Sequence, residues 1–299
     1  MNAYLLSHTD LGDNLFMIGA LRFLLNFYDK IYFLCKNNNY ANTSLFFIDT
    51  PRIICIPFDR NNEIEEPKSI IMQNYHNNDI FICGYYPKQF LKSKITNTDF
   101  LNYPKINNND TIEFDTLTNE NYHFIEDFYN DALLNLTYFY DYFYLPTTDE
   151  SIEIYNSIKN YYIIFIQTLS SHSSTPEFNR TTTPPFGGSI VLQTSCSKGQ
   201  ILNIDNLIEK YINDNNVLLI CSDKNIYENK SEEKYNLCQP FVYNKVIHYT
   251  ETIKNSDEIY IIESCFTGIV LPYLKRNKLK TDKVRIIYRK NAHEGILLF

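Results

Sequence analysis

Short apolar runs, each about long enough for one strand and each followed by a segment of helical spacing, recur along the whole chain and restrict it more than any other feature. In the first half they fall at residues 3–7, 30–35, 52–56 and 79–84. In the second half they fall at 161–166, 190–192, 217–221, 245–249, 258–262 and 284–288. Runs such as Ile31-Tyr32-Phe33-Leu34-Cys35 and Val217-Leu218-Leu219-Ile220-Cys221 have no polar face. Strands of that kind are buried on both sides, as in the interior of a parallel sheet covered by helices. Between the runs, Leu15, Ile18, Leu21, Leu25 and Tyr28 recur at helical spacing and predict one helix. Further helices are expected at 42–47, 204–212, 250–256 and 269–274. Alternation of strand and helix predicts an α/β fold. The series is interrupted at Pro146-Thr147-Thr148-Asp149 and then restarts. With about 150 residues per domain, this divides the 299 residues into two α/β units, 1–148 and 149–299, with a cleft between them. Ligands of open α/β sheets sit at the carboxyl ends of the strands.

Charge and composition narrow the function. Lys and Arg number 27 against 35 Asp and Glu, a net charge of −8. A nucleic-acid binder carries a basic footprint, and a surface for anionic lipid needs one too, so both are disfavoured. Hydrophobic residues at 44% suffice for a sizeable core. No apolar run approaches the ~18 residues of a membrane span, and the N-terminus lacks the basic region of a signal peptide. The seven cysteines form no C-x-x-C pair and lie mostly in apolar runs. They read as small core residues in a reducing, cytoplasmic setting. Abundant Asn, Ile, Tyr, Phe and Lys, with no Trp, reflects AT-rich codons. The Asn runs at 37–39 and 107–109 are expected in loops. The aromatic stretch 121–145 is expected to be helical and to serve as core or as the contact of a homodimer.

Three segments carry residue types suited to chemistry. The first is Leu11-Gly12-Asp13-Asn14, expected as a loop between the first strand and helix. Glycine allows close approach of a ligand, and Asp13 would stand as a base for a hydroxyl. The competing reading is that Asp13 or Asp10 caps the helix. The loop is not G-x-G-x-x-G, so the dinucleotide fingerprint is absent. The second segment is Glu263-Ser264-Cys265-Phe266-Thr267-Gly268, between an apolar strand and a helix. Ser264, Thr267 and free amides there would bind a diphosphate, and Glu263 would accept from sugar hydroxyls. Again the alternative is plain capping. The third is the serine-rich stretch after residue 167, where Ser170 and Ser171 would contact phosphate and Lys198 would add positive charge; the stretch reads equally as a surface loop. Tyr85 and Tyr86 would stack on a sugar ring or pack in the core. The six His are scattered, and D-x-D, Walker A and G-x-S-x-G sequences are all missing. No metal or other cofactor is expected.

The run Leu11-Gly12-Asp13-Asn14-Leu15, followed by Ala20-Leu21-Arg22, resembles the G-D-x-(apolar)…A-L-R pattern of heptosyltransferase-like glycosyltransferases of the GT-B fold. The resemblance implies two Rossmann-like domains facing across a cleft. The first would bind the acceptor, with Asp13 as base and His8, Gly12 and Asn14 beside it. The second would bind a nucleotide-diphosphate sugar, with Ser264, Phe266 and Thr267 at the diphosphate and Ser222, Asp223, His248 and Tyr249 beside the nucleoside. Residues 258–274 are also similar to uncharacterised glycosyltransferase-like proteins of large DNA viruses, which would put the protein in the host cytoplasm. Two departures stand out. Ser170 and Ser171 occupy a position that is usually basic, and the tail after Tyr288 is short. The expected activity is metal-independent, inverting transfer of a sugar to a hydroxyl in glycan synthesis. The alternatives are a nucleotide-sugar epimerase or hydrolase, and an inactive glycosyltransferase-like binding module.

Overall fold

The apolar runs become two parallel sheets, one in each of two units, Met1–Pro146 and Thr147–Phe299. The computed structural model describes residues 1–7, 10–84, 123–167, 201–203, 205–211, 213–223, 233–287 and 296–298. In the first unit β1 (Asn2–Leu6), β2 (Lys30–Lys36), β3 (Ile53–Phe58) and β4 (Asn78–Ile82) pair in the order β3-β2-β1-β4, all parallel. Alternate residues go to opposite faces of a strand, and here both faces are covered. Ala3, Leu5, Ile31, Phe33 and Phe81 are wholly buried. On the same strands Tyr4, Leu6, Leu34, Ile80 and Ile82 join Phe58 and Ile71, the last from a helix, in a second cluster. That is why the runs are continuously apolar rather than alternating.

The expected single first helix is instead two, α1 (Leu11–Phe16) and α2 (Ile18–Leu24), parted at Met17. A tertiary contact makes the break. The buried hydroxyl of Tyr129 accepts from Ala20 N–H at 3.1 Å and donates to the Phe16 carbonyl at 2.9 Å. A side chain inserted between the residues of an i→i−4 pair interrupts a helix in this way. The Asn run at 37–39 is also corrected: it forms the first turn of α3 (Asn37–Thr43). Amides of a first turn have no intrahelical acceptor, so asparagine is tolerated there as it is not in a helix interior. The run at 107–109 lies outside the described residues. The unit also contains α4 (Glu65–Asn74), which carries Ile71 and was not expected. The aromatic stretch supplies α5 (His123–Asp131) and α6 (Thr137–Asp141). Gly19 is required where α2 meets α6, because a Cβ there would lie 2.3 Å from the Tyr138 carbonyl oxygen. Arg22 fixes the same helix. It donates to Asp49 at 2.8 and 3.1 Å, to Thr50 Oγ1 at 2.8 Å and to the Tyr144 carbonyl at 2.9 Å. The last residue of the A-L-R sequence is therefore a structural clamp.

In the second unit α7 (Asp149–Ile158) comes first, with the Thr148 hydroxyl accepting from Ser151 N–H at 3.1 Å. It was not expected, although a threonine followed by two acids is a good helix start. Next are β5 (Tyr162–Gln167), β6 (Ile201–Asn203), α8 (Asp205–Tyr211), β7 (Val217–Cys221) and α9 (Glu233–Asn236). They are followed by α10 (Thr250–Asn255), β8 (Glu258–Ile262), α11 (Thr267–Lys275), β9 (Val284–Ile287) and β10 (Ile296–Leu298). The main sheet runs β7-β5-β8-β9, all parallel, and β6 pairs with β10 separately. The strand expected at 190–192 lies outside the described residues. The strand expected at 245–249 is corrected to a 3-10 helix, Val246–Tyr249. Its apolar side chains meet the core from beyond the sheet. Tyr249 packs edge-on against Phe165 and Phe266, with ring centroids 6.0 and 5.1 Å away. At the amino end of β8 the buried Glu258 accepts from Tyr162 and Tyr260 hydroxyls at 2.8 and 2.7 Å and pairs with Lys283 at 3.3 Å. Those donors hold its carboxyl below the usual range, although burial alone would raise it.

Strand order sets where ligands go. The chain leaves β1 for β2 on one side and later returns to β4 on the other; likewise it leaves β5 for β7 and returns to β8. Each four-stranded sheet thus has a switch point, and the crevice beyond the carboxyl ends there is the ligand site of open α/β sheets.

Candidate functional site

In the first unit the strand ends bring together Ser7, Asp10, Lys36, Glu63 and Gly84. Ser7 is wholly buried after β1. His8, Tyr85 and Tyr86 lie outside the described residues. The expected loop 11–14 is the first turn of α1, a correction whose cause is local. Asp10 takes the extended N-cap conformation and forms a reciprocal capping box with Asp13, whose Oδ2 accepts from Asp10 N–H at 3.3 Å. This raises two N–H···O contacts where a helix start has orphan donors. Asp13 nevertheless stays half-buried, as does Gly12, so both keep a face to the rim. Asn14 does not: it is wholly buried, and its Nδ2 donates to Thr43 Oγ1 at 2.9 Å across to α3.

Lys36 has no counterpart in the sequence reading. It ends β2 with 5% of its surface exposed. Its Nζ lies 2.9 Å from Asp10 Oδ1 and 3.0 Å from Glu63 Oε2. Burial would depress the ammonium, but Asp10 and Glu63 outweigh that and raise it above the ordinary lysine value. A lysine closing an otherwise apolar strand was the available signal, because the last residue of a buried strand stands at the ligand edge. Gly84, after β4, adopts φ 87° and donates its N–H to Asp131 Oδ2 at 2.7 Å. A positive φ is where glycine is needed. Among the described residues the rim of this unit carries Asp10, Asp13, Glu63 and Asp131 against Lys36.

In the second unit the rim is formed by Gln167, Ser222, Asp223 and the segment 263–268. Ser222 Oγ donates to Gln167 Oε1 at 2.7 Å, tying the ends of β7 and β5. Ser222 and Asp223 are buried, and Glu263 is half-buried. Ser170, Ser171 and Lys198 lie outside the described residues. The expectation of free amides at 264–268 is corrected. Ser264 N–H donates to Thr267 Oγ1 at 3.1 Å, and Phe266 N–H donates to Ser264 Oγ at 3.3 Å. Thr267 and Gly268 N–H groups donate to the carbonyls of Ser264 and Cys265, each at 3.0 Å. The Ser-x-x-Thr spacing lets the two hydroxyls close the helix start on itself. Burial pushes the Cys265 thiol up to about 12, which leaves it protonated and a poor nucleophile.

One expected diphosphate contact and one expected nucleoside contact are core side chains. Phe266 and Tyr249 are wholly buried, and the Tyr249 hydroxyl donates to the Phe241 carbonyl. His248 sits in the same 3-10 helix, with Nδ1 3.0 Å from both Asn244 Oδ1 and Glu150 Oε1. Burial holds it below the ordinary histidine value, against the pull of Glu150. Among the described residues no group of three or more His, Cys, Asp or Glu is placed to hold a metal ion, and no helix is long and apolar enough to cross a membrane.

No protein-family model matches the chain, and no curated protein matches it either. A solved structure does: ADP-heptose LPS heptosyltransferase II of E. coli, at 10% identity and a TM-score of 0.50, over 98% of this chain and 92% of that one. At that identity the likeness establishes the fold. The chain has the α/β architecture of that enzyme, two Rossmann-like units with parallel sheets.

Proposed function

We propose that this chain, sharing the fold of a heptosyltransferase, is a metal-independent glycosyltransferase that moves a sugar from a nucleotide-diphosphate sugar to a hydroxyl acceptor. The observation that carries the reading is Asp13: a half-buried carboxylate in the first helical turn beyond β1, within a fold known to support sugar transfer. Asp13 takes the proton of the acceptor hydroxyl. The acceptor oxygen bonds to the anomeric carbon as the bond from that carbon to the diphosphate oxygen breaks, and the nucleoside diphosphate leaves. Attack opposite the leaving group inverts the configuration. A positioned base of this kind contributes about 10²–10⁴ in rate. The nucleoside is assigned to the rim at Ser222, Asp223 and Glu263, and the diphosphate to Ser170, Ser171 and Lys198. We assign the protein to a reducing compartment, in keeping with Cys35, Cys55, Cys83, Cys221, Cys238 and Cys265 standing outside any disulfide.

The test is a melting-temperature screen with UDP-, GDP-, ADP- and CMP-sugars in EDTA. A ligand at 100 times its Kd stabilises by about 2.7 kcal/mol. One nucleotide class should raise the melting temperature, and EDTA should not abolish the rise. No response to any nucleotide sugar contradicts the reading. A second reading, an inactive binding module of the same fold, is favoured by the internally bonded amides at 264–268, which leave fewer donors for a diphosphate. It predicts no thermal response to any nucleotide sugar and no nucleoside diphosphate released.

A further inference from the structure

We infer that Lys36 is a positioning residue for Asp13, acting through Asp10; this rests on Asp13 being the base. Four side chains form a chain of contacts. Glu63 Oε2 is 3.0 Å from Lys36 Nζ, which is 2.9 Å from Asp10 Oδ1. Asp10 in turn holds Asp13 twice, through its backbone N–H to Asp13 Oδ2 and through its side chain to the Asp13 amide. An ammonium buried this far is costly to leave unpaired, so its two carboxylates are held where it stands. Lys36 itself belongs to a central strand and cannot shift without the sheet. The arrangement therefore references the orientation of Asp13 to β2 rather than to a short helix end, and small errors in placing a reacting group cost as much as 10²-fold in rate.

The same contacts have an electrostatic effect. Lys36 is a cation buried against Asp10 and Glu63, and taking a positive charge away from carboxylates favours their protonated forms. Its removal should make that acidic group bind protons at higher pH. Reduced folding yield would lower the amount of active protein without moving a pH profile.

The experiment measures nucleoside diphosphate released from UDP-, GDP- and ADP-glucose with a panel of monosaccharide acceptors, as kcat/KM against pH. Lys36→Met should lower kcat/KM by about 10–100-fold and move its acid limb to higher pH, with the donor-induced melting shift unchanged. Lys36→Arg should restore both. Asp10→Asn, which keeps a good N-cap and the backbone N–H, covers the case in which Lys36→Met does not fold. It should reproduce the loss of rate, while its acid limb moves to lower pH because a neighbouring negative charge has gone. A wild-type rate and acid limb in Lys36→Met or in Asp10→Asn, with Asp13→Asn inactive, overturns this inference and leaves Asp13 as the base. Full turnover in Asp13→Asn overturns Asp13 as the base and this inference with it, whereas no release by the wild-type chain from any donor overturns the transferase reading and this inference together.

Discussion

The hydroxyl of Tyr129 accepts the N–H of Ala20 at 3.1 Å inside what periodicity reads as an uninterrupted helix. The same hydroxyl donates to the Phe16 carbonyl, so one side chain, more than a hundred residues away in sequence, ends α1 and starts α2. Tyr129→Phe removes both partners at once. It should destabilise the chain by about 1–3 kcal/mol, the cost of orphaned buried polar groups, unless Ala20 closes directly onto Phe16. Gly19→Ala should be at least as harmful, since its new methyl meets the Tyr138 carbonyl oxygen at 2.3 Å, and overpacking costs about 1–3 kcal/mol. Urea unfolding of the two variants measures both effects. Retained stability in Gly19→Ala would contradict the close packing of α2 on α6.

Thr267 separates capping from ligand binding. Its hydroxyl is buried and accepts from Ser264 N–H. Thr267→Val should therefore cost about 1 kcal/mol in the unliganded protein. A hydroxyl reserved for phosphate predicts the opposite pattern, an unchanged unfolding midpoint and weakened donor binding.

His248 makes the stability of the second unit depend on pH. Burial holds its imidazole below the ordinary histidine value despite Glu150 3.0 Å away. The unfolded chain takes up a proton near the usual value of about 6.5, whereas the folded chain takes it up only at lower pH. The stability this gives is fully present above about 6.5 and is lost as pH falls from there through the lower folded-state value. The urea midpoint should drop between pH 7.5 and 5.5, and His248→Gln should flatten that drop. An unaltered pH dependence in the variant removes His248 as the cause.

Most of the sheet strands were legible because a strand buried on both faces must be apolar throughout, and such runs are hard to mistake. Two of the elements that escaped were decided by contacts distant in sequence. The break at Met17 depends on Tyr129, and the run 245–249 has the composition of a strand but meets the core as a 3-10 helix, with Tyr249 set against Phe165 and Phe266. The helix α7 was missed although Thr148-Asp149-Glu150 is a capping sequence. At the site, Asp13 was singled out as a candidate by its neighbours Gly12 and Leu15. Its bond to Asp10 was visible only as one of two readings, and the structure contains that capping contact. Phe266 and Tyr249 were assigned to a ligand through the family resemblance, yet burial makes them core. Lys36 went unremarked because a single lysine after an apolar run looks like a solvated strand end, and only the tertiary placement of Asp10 and Glu63 reveals it as buried.

The most direct measurement is nucleoside diphosphate release in EDTA by the wild-type chain and by Asp13→Asn, using whichever nucleotide sugar raises the melting temperature. Release by the wild type should fall by about 10²–10⁴ in the variant, while the donor-induced melting shift stays the same. Equal release by both proteins, or loss of the melting shift together with the activity, would contradict the role of Asp13 as the base for sugar transfer.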